Sequence, residues 1–147
     1  MHDIETNTAL LIRAAHNGDA KEVQRLIPLS DPTNYHSRAL LKAVYQKHMD
    51  CVQLLIPVST PHDCNIILVE AVKVGYRPNI ELLIAAADPK FNDSEALYCA
   101  TQMRNDAIIE MLIDVSDVDV IVETRRQKKV LTTEIEEQHN VRKVRKM

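Results

Sequence analysis

Few of the residues in this chain that could bind a metal or act in catalysis have the spacing that such chemistry requires. His62 and Cys64 lie two positions apart in a predicted loop with no third ligand nearby, which is too little for a zinc site. Cys99 has no histidine or acid at a spacing that would activate its thiol. Glu136 and Glu137 are adjacent carboxylates on a predicted solvated helix. We therefore find no catalytic constellation, expect no cofactor or metal, and predict that the chain is not an enzyme.

The counts of glycine and cysteine further limit the class of protein to which this chain can belong. Two glycines among 147 residues leave no Gly-rich loop that could hold a phosphate. Three cysteines without a CxxC motif indicate reduced thiols in a cytoplasmic protein. The N-terminal sequence MHDIETNTAL lacks the basic and apolar regions of a secretory signal, and no apolar run is long enough for a membrane span. Delivery into a host cell by a route without a classical signal peptide stays open.

The elements that must position these residues repeat along the chain. Ala14, Ala43, Ala71 and Ala100 are almost evenly spaced, since 43−14 = 29, 71−43 = 28 and 100−71 = 29. A self-similar unit of this size indicates a stacked repeat protein. The four units lie near residues 8–36, 37–64, 65–93 and 94–122, and we predict one repeat domain over 1–122.

Each unit predicts two helices joined by a tight turn. The first helix has a Leu/Ala face, and the second has an apolar stripe at i, i+3 and i+4, as in Val52, Leu55 and Ile56. In two units a glycine suits the left-handed end of the first helix, where the other two have Lys47 and Arg104. A column of preferred N-cap residues precedes the first helix: Thr8, Ser37, Asn65 and Ser94.

Two segments of these units resemble a known family. NGDAKEVQRLI in the first unit and DCVQLLI in the second resemble the second half of the ankyrin repeat, and the resemblance covers about Thr8 to Asp117. It is nearest to the short ankyrin-type arrays of bacteria and their phages. It implies an all-α fold, an α-solenoid of four stacked ankyrin-like repeats, acting as an adaptor or inhibitor that binds a protein partner.

The chain departs from the ankyrin pattern in one respect. Its period is about four residues shorter than the ankyrin unit, and the Thr-Pro-Leu-His signature is absent. Both predicted helices are intact, so the shortening must fall in the connections. We therefore expect shortened fingers, and an unrelated array of helical hairpins is the alternative.

The face of the first helices opposite the Leu/Ala side is the candidate partner-binding surface, because ankyrin-like stacks place it along a concave groove. Tyr45 with neighbouring bases is the expected energetic centre, since Tyr and Arg are enriched among binding anchors. A solvated helix face is the alternative for each residue singly. The predicted partner-binding residues, which include two loop aromatics, are Arg13, His16, Tyr35, Arg38, Lys42, Tyr45, Glu70, Lys73, Phe91, Glu95 and Gln102.

The segment 123–147 differs from the body in charge. It carries eight Lys/Arg and four Glu, so its net charge is +4, while the rest of the chain is −7. Thr133 and Glu136 have capping-box spacing, which predicts a helix from about Thr133 to Lys146. Val118, Val120 and Val122 alternate with polar residues and predict a strand or an extended connector.

The fourth unit has apolar residues, Met103 and Ile108, where mostly polar residues stand in the other units. We expect the tail to cover this end through Val130, Leu131 and Ile135. A second copy of the chain, giving a homo-oligomer, and a bound partner are the alternatives. The basic runs RRQKK and VRKVRK could contact nucleic acid, but interleaved glutamates and an acidic body argue against it.

Overall fold

The computed structural model describes residues 3–146, except for the side chains of residues 120, 121, 124 and 125. The predictions that concern the Val120 side chain and Arg125 of the first basic run lie outside the described residues. Within the described residues every regular element is a helix and there is no strand, so the fold class is all-α. The α-helices are α1 (Ile4–Asn17), α2 (Ala20–Leu26), α3 (Asn34–Tyr45), α4 (Met49–Leu55), α5 (Pro61–Val74), α6 (Arg77–Ala86), α7 (Phe91–Gln102), α8 (Asp106–Ile113) and α9 (Val118–Arg145).

The first eight helices form four hairpins, and the hairpins lie side by side. Within each hairpin the two helices contact each other, α1 with α2, α3 with α4, α5 with α6 and α7 with α8. The longer first helices also contact one another in the order α1, α3, α5, α7, α9, and the second helices do so in the order α2, α4, α6. The result is two layers of helices with the apolar core between them.

The predicted apolar columns form this core. The leucine column of the first helices (Leu11, Leu40, Leu68, Leu97), the alanine column beside it and the leucine column of the second helices (Leu26, Leu55, Leu83, Leu112) are all buried. The alanines let neighbouring first helices approach closely. At the end of the second helix in the first two units, short 3₁₀ turns over Ile27–Leu29 and Ile56–Val58 include Pro28 and Pro57, which cannot continue an α-helix without losing a backbone hydrogen bond.

The units alternate between two kinds, so the true period is two units long. In the first and third units the first helix has 14 residues and ends at a left-handed glycine, Gly18 or Gly75. The longer period is therefore 75−18 = 57. In the second and fourth units the first helix has 12 residues and starts in a left-handed turn over 35–37 or 92–94. Lys47 and Arg104 take the left-handed position at the end of these helices, with φ of +62° and +53°.

The predicted N-cap column is wrong, and the alternation explains why. The long helices begin before the predicted caps, and Asp3 and Thr60 cap them. Thr8 and Asn65 therefore lie inside helices, where their side chains accept hydrogen bonds from the backbone N–H groups of Asp31 and Asp88 at 2.9 and 2.7 Å. Ser94 accepts the equivalent bond from the N–H group of Asp117. These three members of the column fasten a unit to the connection that follows it instead of starting a helix.

The end of the chain also differs from the prediction. Val118 begins a helix, so the expected strand or connector is wrong, and α9 is already well under way at Thr133. The expected domain boundary between residues 122 and 123 lies inside α9. Asp117, before α9, follows Asp3 and Thr60 at equal steps (60−3 = 57 and 117−60 = 57), so α9 takes the place of the first helix of a fifth unit.

Two expectations about the fourth unit need correction. Ile108 is fully buried, so it does not make the outer end of this unit apolar. Its equivalents Cys51 and Asn79 are buried too, because this column packs inside the second-helix layer. The tail does not cover the fourth unit through Val130, Leu131 and Ile135, which are 52%, 57% and 59% exposed. Met103 is exposed as expected.

Candidate binding surface

Tyr45, Glu70 and Lys73 form the best-defined polar cluster on the outer face of the first helices. The Tyr45 hydroxyl donates to Glu70 Oε2 at 2.8 Å, and Lys73 Nζ donates to Glu70 Oε1 at 2.7 Å. Tyr45 belongs to α3 and the other two residues to α5, so the cluster bridges two hairpins. Three of the predicted surface residues are therefore brought together on one face.

The hydrogen bonds of this cluster set its electrostatics. The Lys73 ammonium, and then the Tyr45 hydroxyl, hold the pKa of Glu70 below its usual value, although partial burial acts against them. The same carboxylate raises the pKa of Tyr45 and of Lys73. Glu70 is therefore a carboxylate at neutral pH, and it fixes the orientation of two exposed side chains.

The charged surface continues from this cluster to α7. Burial raises the pKa of the Cys99 thiol, the charge of Lys73 acts against this, and the carboxylates of Glu95 and Glu70 reinforce it. These electrostatic interactions link Cys99 and Glu95 of α7 to Lys73. A raised pKa leaves less of this half-buried thiol in the thiolate form at neutral pH.

The basic residues predicted to accompany Tyr45 lie on the first helices. Arg13, Arg38 and Lys42 lie on α1 and α3, and the described contacts include no hydrogen bond or ion pair from them to Tyr45. The charge of Arg13 instead acts on Glu22 of α2, whose pKa is lowered mainly by its hydrogen bonds with Arg25. The direct hydrogen bonds of Tyr45 and Lys73 therefore go to Glu70, while the grouping of Tyr45 with these three bases stays a prediction.

The loop aromatics occupy two different sites. Tyr35 is 69% exposed in a left-handed turn with φ of +52°. Phe91 is half-buried at the start of α7, and its ring meets the His62 ring edge-to-face at 5.6 Å between centroids. His62 thus packs edge-to-face on Phe91, whereas Cys64 is buried. No group of three or more His, Cys, Asp or Glu in residues 3–146 is arranged to hold a metal ion.

The remaining predicted residues lie at the edges of this surface. His16 and Gln102 are exposed near the C-terminal ends of α1 and α7. The backbone carbonyl of His16 lies 3.1 Å from His48 Nε2, so the hairpins are joined beneath it. Glu95 accepts a hydrogen bond from Asn92 Nδ2 at 2.6 Å, within its own helix.

Two polar contacts between elements were not predicted from the sequence. Lys128 of α9 lies over the Tyr98 ring of α7, 4.5 Å from its centroid, and Nζ is 2.6 Å from the Tyr98 hydroxyl. Ser37 Oγ donates to Asp63 Oδ2 at 2.7 Å in a buried position between α3 and α5. The contact between Lys128 and Tyr98 could have been anticipated from the longer period at which the helices start. That period predicts a fifth unit whose first helix contains residue 128.

Comparisons of the chain with protein-family models, with curated proteins and with solved structures find no match. The resemblance to ankyrin repeats thus rests on the residues of the chain alone. No helix in the described part of the chain is both long and apolar enough to cross a membrane.

Proposed function

We propose that this chain is an ankyrin-like array of helical hairpins that binds a protein partner, as an adaptor or inhibitor, and that it has no catalytic activity. The observation that carries the proposal is the Tyr45–Glu70–Lys73 cluster, which joins the outer faces of two successive first helices. It fixes exposed aromatic and charged groups before a partner arrives.

The physical advantage of such a surface is pre-organisation. Ordering a free side chain at an interface costs about 0.5–1.5 kcal/mol. Tyr45 and Lys73 are already held by Glu70, so part of this cost is met in the free protein. The helices behind the cluster are fixed by the buried leucine and alanine columns, which makes the surface rigid as well as aligned.

The composition of the surface limits the kind of partner. Glu70 holds the Tyr45 hydroxyl and the Lys73 ammonium, while Lys42 shares α3 with Tyr45 and Glu95 lies on α7. A folded protein or peptide with carboxylates opposite the lysines and an apolar contact for Tyr45 would match it. Cytoplasmic location stays an expectation from the sequence.

The test compares partner capture by two triple variants. The first changes Lys42, Tyr45 and Lys73 to Ala, and the matched control changes the exposed second-helix residues Gln24, Gln53 and Glu81 to Ala. Proteins captured by wild type under crosslinking would be quantified by mass spectrometry for all three chains.

We expect the first variant to lose wild-type partners at least tenfold and the control to retain them, which corresponds to about 1.4 kcal/mol of binding energy or more. Circular dichroism and urea unfolding must show that both variants keep their helices. Equal capture by both variants would show that this face is not the binding surface.

A further inference from the structure

We propose that the outer stripe of α9 is a dimerisation surface whose partner is a second copy of this chain, paired antiparallel. α9 has 28 residues, about twice the length of the α7 helix on which it packs. Every described residue from 126 to 146 is exposed. Its second half therefore projects beyond the hairpins as a helix with no partner in its own chain.

The charges of α9 and its N-cap come in four blocks of alternating sign. Residues 117–123 carry three acids and no base, and 125–129 carry four bases and no acid. Residues 134–137 then carry three acids, and 142–146 carry four bases. When two such helices pair antiparallel, each acidic block lies against a basic block of the other copy. A parallel pair in register would instead place blocks of like charge together.

This charge pattern is not satisfied within the monomer. No ion pair involves a described side chain of α9. The polar contacts of its described side chains are Gln127 with Glu123, Lys128 with Tyr98 and two threonine hydroxyls with backbone carbonyls. The acidic block at 134–137 and the basic block at 142–146 in particular face solvent. Their charges are available to a second molecule.

One stripe of the helix carries the complementarity. The positions 119, 123, 126, 130, 133, 137, 140 and 144 follow one another at alternating steps of four and three, which puts them on one side of a helix. Val130 of this stripe is two residues from Lys128, which is about 200° around the helix. Because Lys128 contacts α7, Val130 and the stripe residues after it point away from that helix.

The stripe is self-complementary about a two-fold axis between residues 131 and 132. Arg126 then faces Glu137 of the second copy, and Lys129, on one flank of the stripe, lies next to Glu136 on the same flank of the second copy. No like charges are placed opposite each other in this register. A register with the two-fold axis at Glu134 would set this residue opposite the same residue of the second copy and would lose the match.

The base of α9 gives the same register an apolar contact. Val118 and Val122 line an open groove with Ile109 and Ile113 of α8, and Ile113 is 43% exposed. In the proposed dimer the Val141 and Val144 end of the second copy lies next to this groove.

The test uses charge reversal in the full-length chain. R126E and E137R each place like charges opposite one another in the antiparallel dimer, and the double variant R126E/E137R restores the attraction in reversed order. Lys21→Glu, at an exposed position of α2, is the control for charge change alone. All these substitutions exchange residues of similar helix propensity, so helicity measured by circular dichroism should not change.

Sedimentation velocity at low salt, from low micromolar to several hundred micromolar protein, would measure the dimer Kd. We expect each single reversal to raise the Kd about tenfold or more, since symmetry converts two attractive pairs into two repulsive ones. The double variant should return to the wild-type Kd, the Lys21→Glu variant should not differ from wild type, and added salt should raise the wild-type Kd.

Two results would overturn the proposal. Wild-type protein that stays monomeric over the whole concentration range would exclude a second copy as the occupant of the stripe. A dimer that forms equally well in both single variants would exclude the antiparallel register, because a pair through another face would not respond to Arg126 and Glu137. Both results are independent of the partner-capture test, whose residues lie on α3 and α5.

Discussion

Gly18 and Gly75 show at the scale of single residues how one backbone conformation can have two different surroundings. Both have a left-handed φ, +78° and +77°, where glycine is favoured. A Cβ at Gly18 would lie 2.6 Å from the His48 ring, whereas a Cβ at Gly75 would meet nothing closer than Asn105 Nδ2 at 3.9 Å. The sequence predicted the left-handed turn at both positions, but the contact with His48 depends on the neighbouring hairpin and could not be predicted.

We expect Gly18→Ala to destabilise the protein more than Gly75→Ala. Both substitutions add the cost of a left-handed alanine, about 1–2 kcal/mol. Gly18→Ala must also displace the His48 ring, which contacts the His16 carbonyl at 3.1 Å. Urea unfolding of the two variants would measure the difference, and His48→Ala in the Gly18→Ala background should reduce it. Equal losses in the two single variants would show that the His48 ring moves aside at no cost.

Lys47 occupies the same left-handed position without being glycine. Its φ of +62° is unfavourable for a residue with a Cβ, and its side chain is exposed. We therefore expect Lys47→Gly to stabilise the protein by about 0.5–1 kcal/mol, after the entropy gained by the unfolded chain is subtracted. Urea unfolding checks this, with Lys21→Gly inside α2 as the control that should destabilise. A loss of stability in Lys47→Gly would show that its side chain makes a stabilising contact.

At the scale of helices, the sequence predicted two helices per unit but not the alternation of two kinds of unit. The Leu/Ala and Val/Leu/Ile columns recur in every unit, so they are the strongest periodic signal and hide the longer one. The Asp-Pro pairs at 31–32 and 88–89 recur only every second unit (88−31 = 57), and they precede the left-handed turns. N-cap preference for Thr8 and Asn65 was overridden because their hydroxyl and amide oxygens bind the next connection.

The Tyr45–Glu70–Lys73 cluster should make stability depend on pH. The pKa of Glu70 is lowered in the folded protein, chiefly by Lys73, so it binds protons less readily than in the unfolded chain. Its stabilising contribution is full above the unfolded pKa of about 4.3 and is lost as the pH falls through the lower folded pKa. Because the cluster is partly exposed, we expect a contribution of at most about 1 kcal/mol.

The matched variant for this prediction is Glu70→Gln. Urea unfolding of both proteins between about pH 6 and pH 3 should show a smaller loss in the variant, since the amide does not titrate in this range. Tyr45→Phe removes the second hydrogen bond and should lie between the two. If wild type and Glu70→Gln lose stability in parallel, the low-pH loss comes from other carboxylates.

At the scale of the whole molecule, the layers could be predicted from the sequence but the end of the array could not. Apolar periodicity placed the four hairpins, because burial of the leucine columns requires them to pack together. α9 has few apolar residues on any side, so periodicity indicated no helix before Thr133. The start of α9 becomes visible only from the equal steps that lead from Asp3 through Thr60 to Asp117.

An array whose units contact only their neighbours should respond differently to core damage in the middle and at the end. Leu55 in α4 and Leu112 in α8 are both fully buried at equivalent positions. Each change to Ala removes the same atoms and leaves a cavity, at a cost of about 2–5 kcal/mol. Leu55 has hairpins on both sides, whereas beyond Leu112 α9 supplies only the first helix of a further unit.

We therefore expect Leu112→Ala to loosen α7, α8 and α9 while amides of α1 to α4 keep their protection in hydrogen exchange. Leu55→Ala should lower protection throughout, because it separates the hairpins on either side from each other. Hydrogen exchange with mass spectrometry resolves these regions in one experiment. Uniform loss of protection in Leu112→Ala would instead show that the hairpins unfold as one cooperative unit. The last hairpin would then be coupled to α1 as strongly as adjacent hairpins are coupled to each other. A description in which each unit is stabilised only by its neighbours would fail.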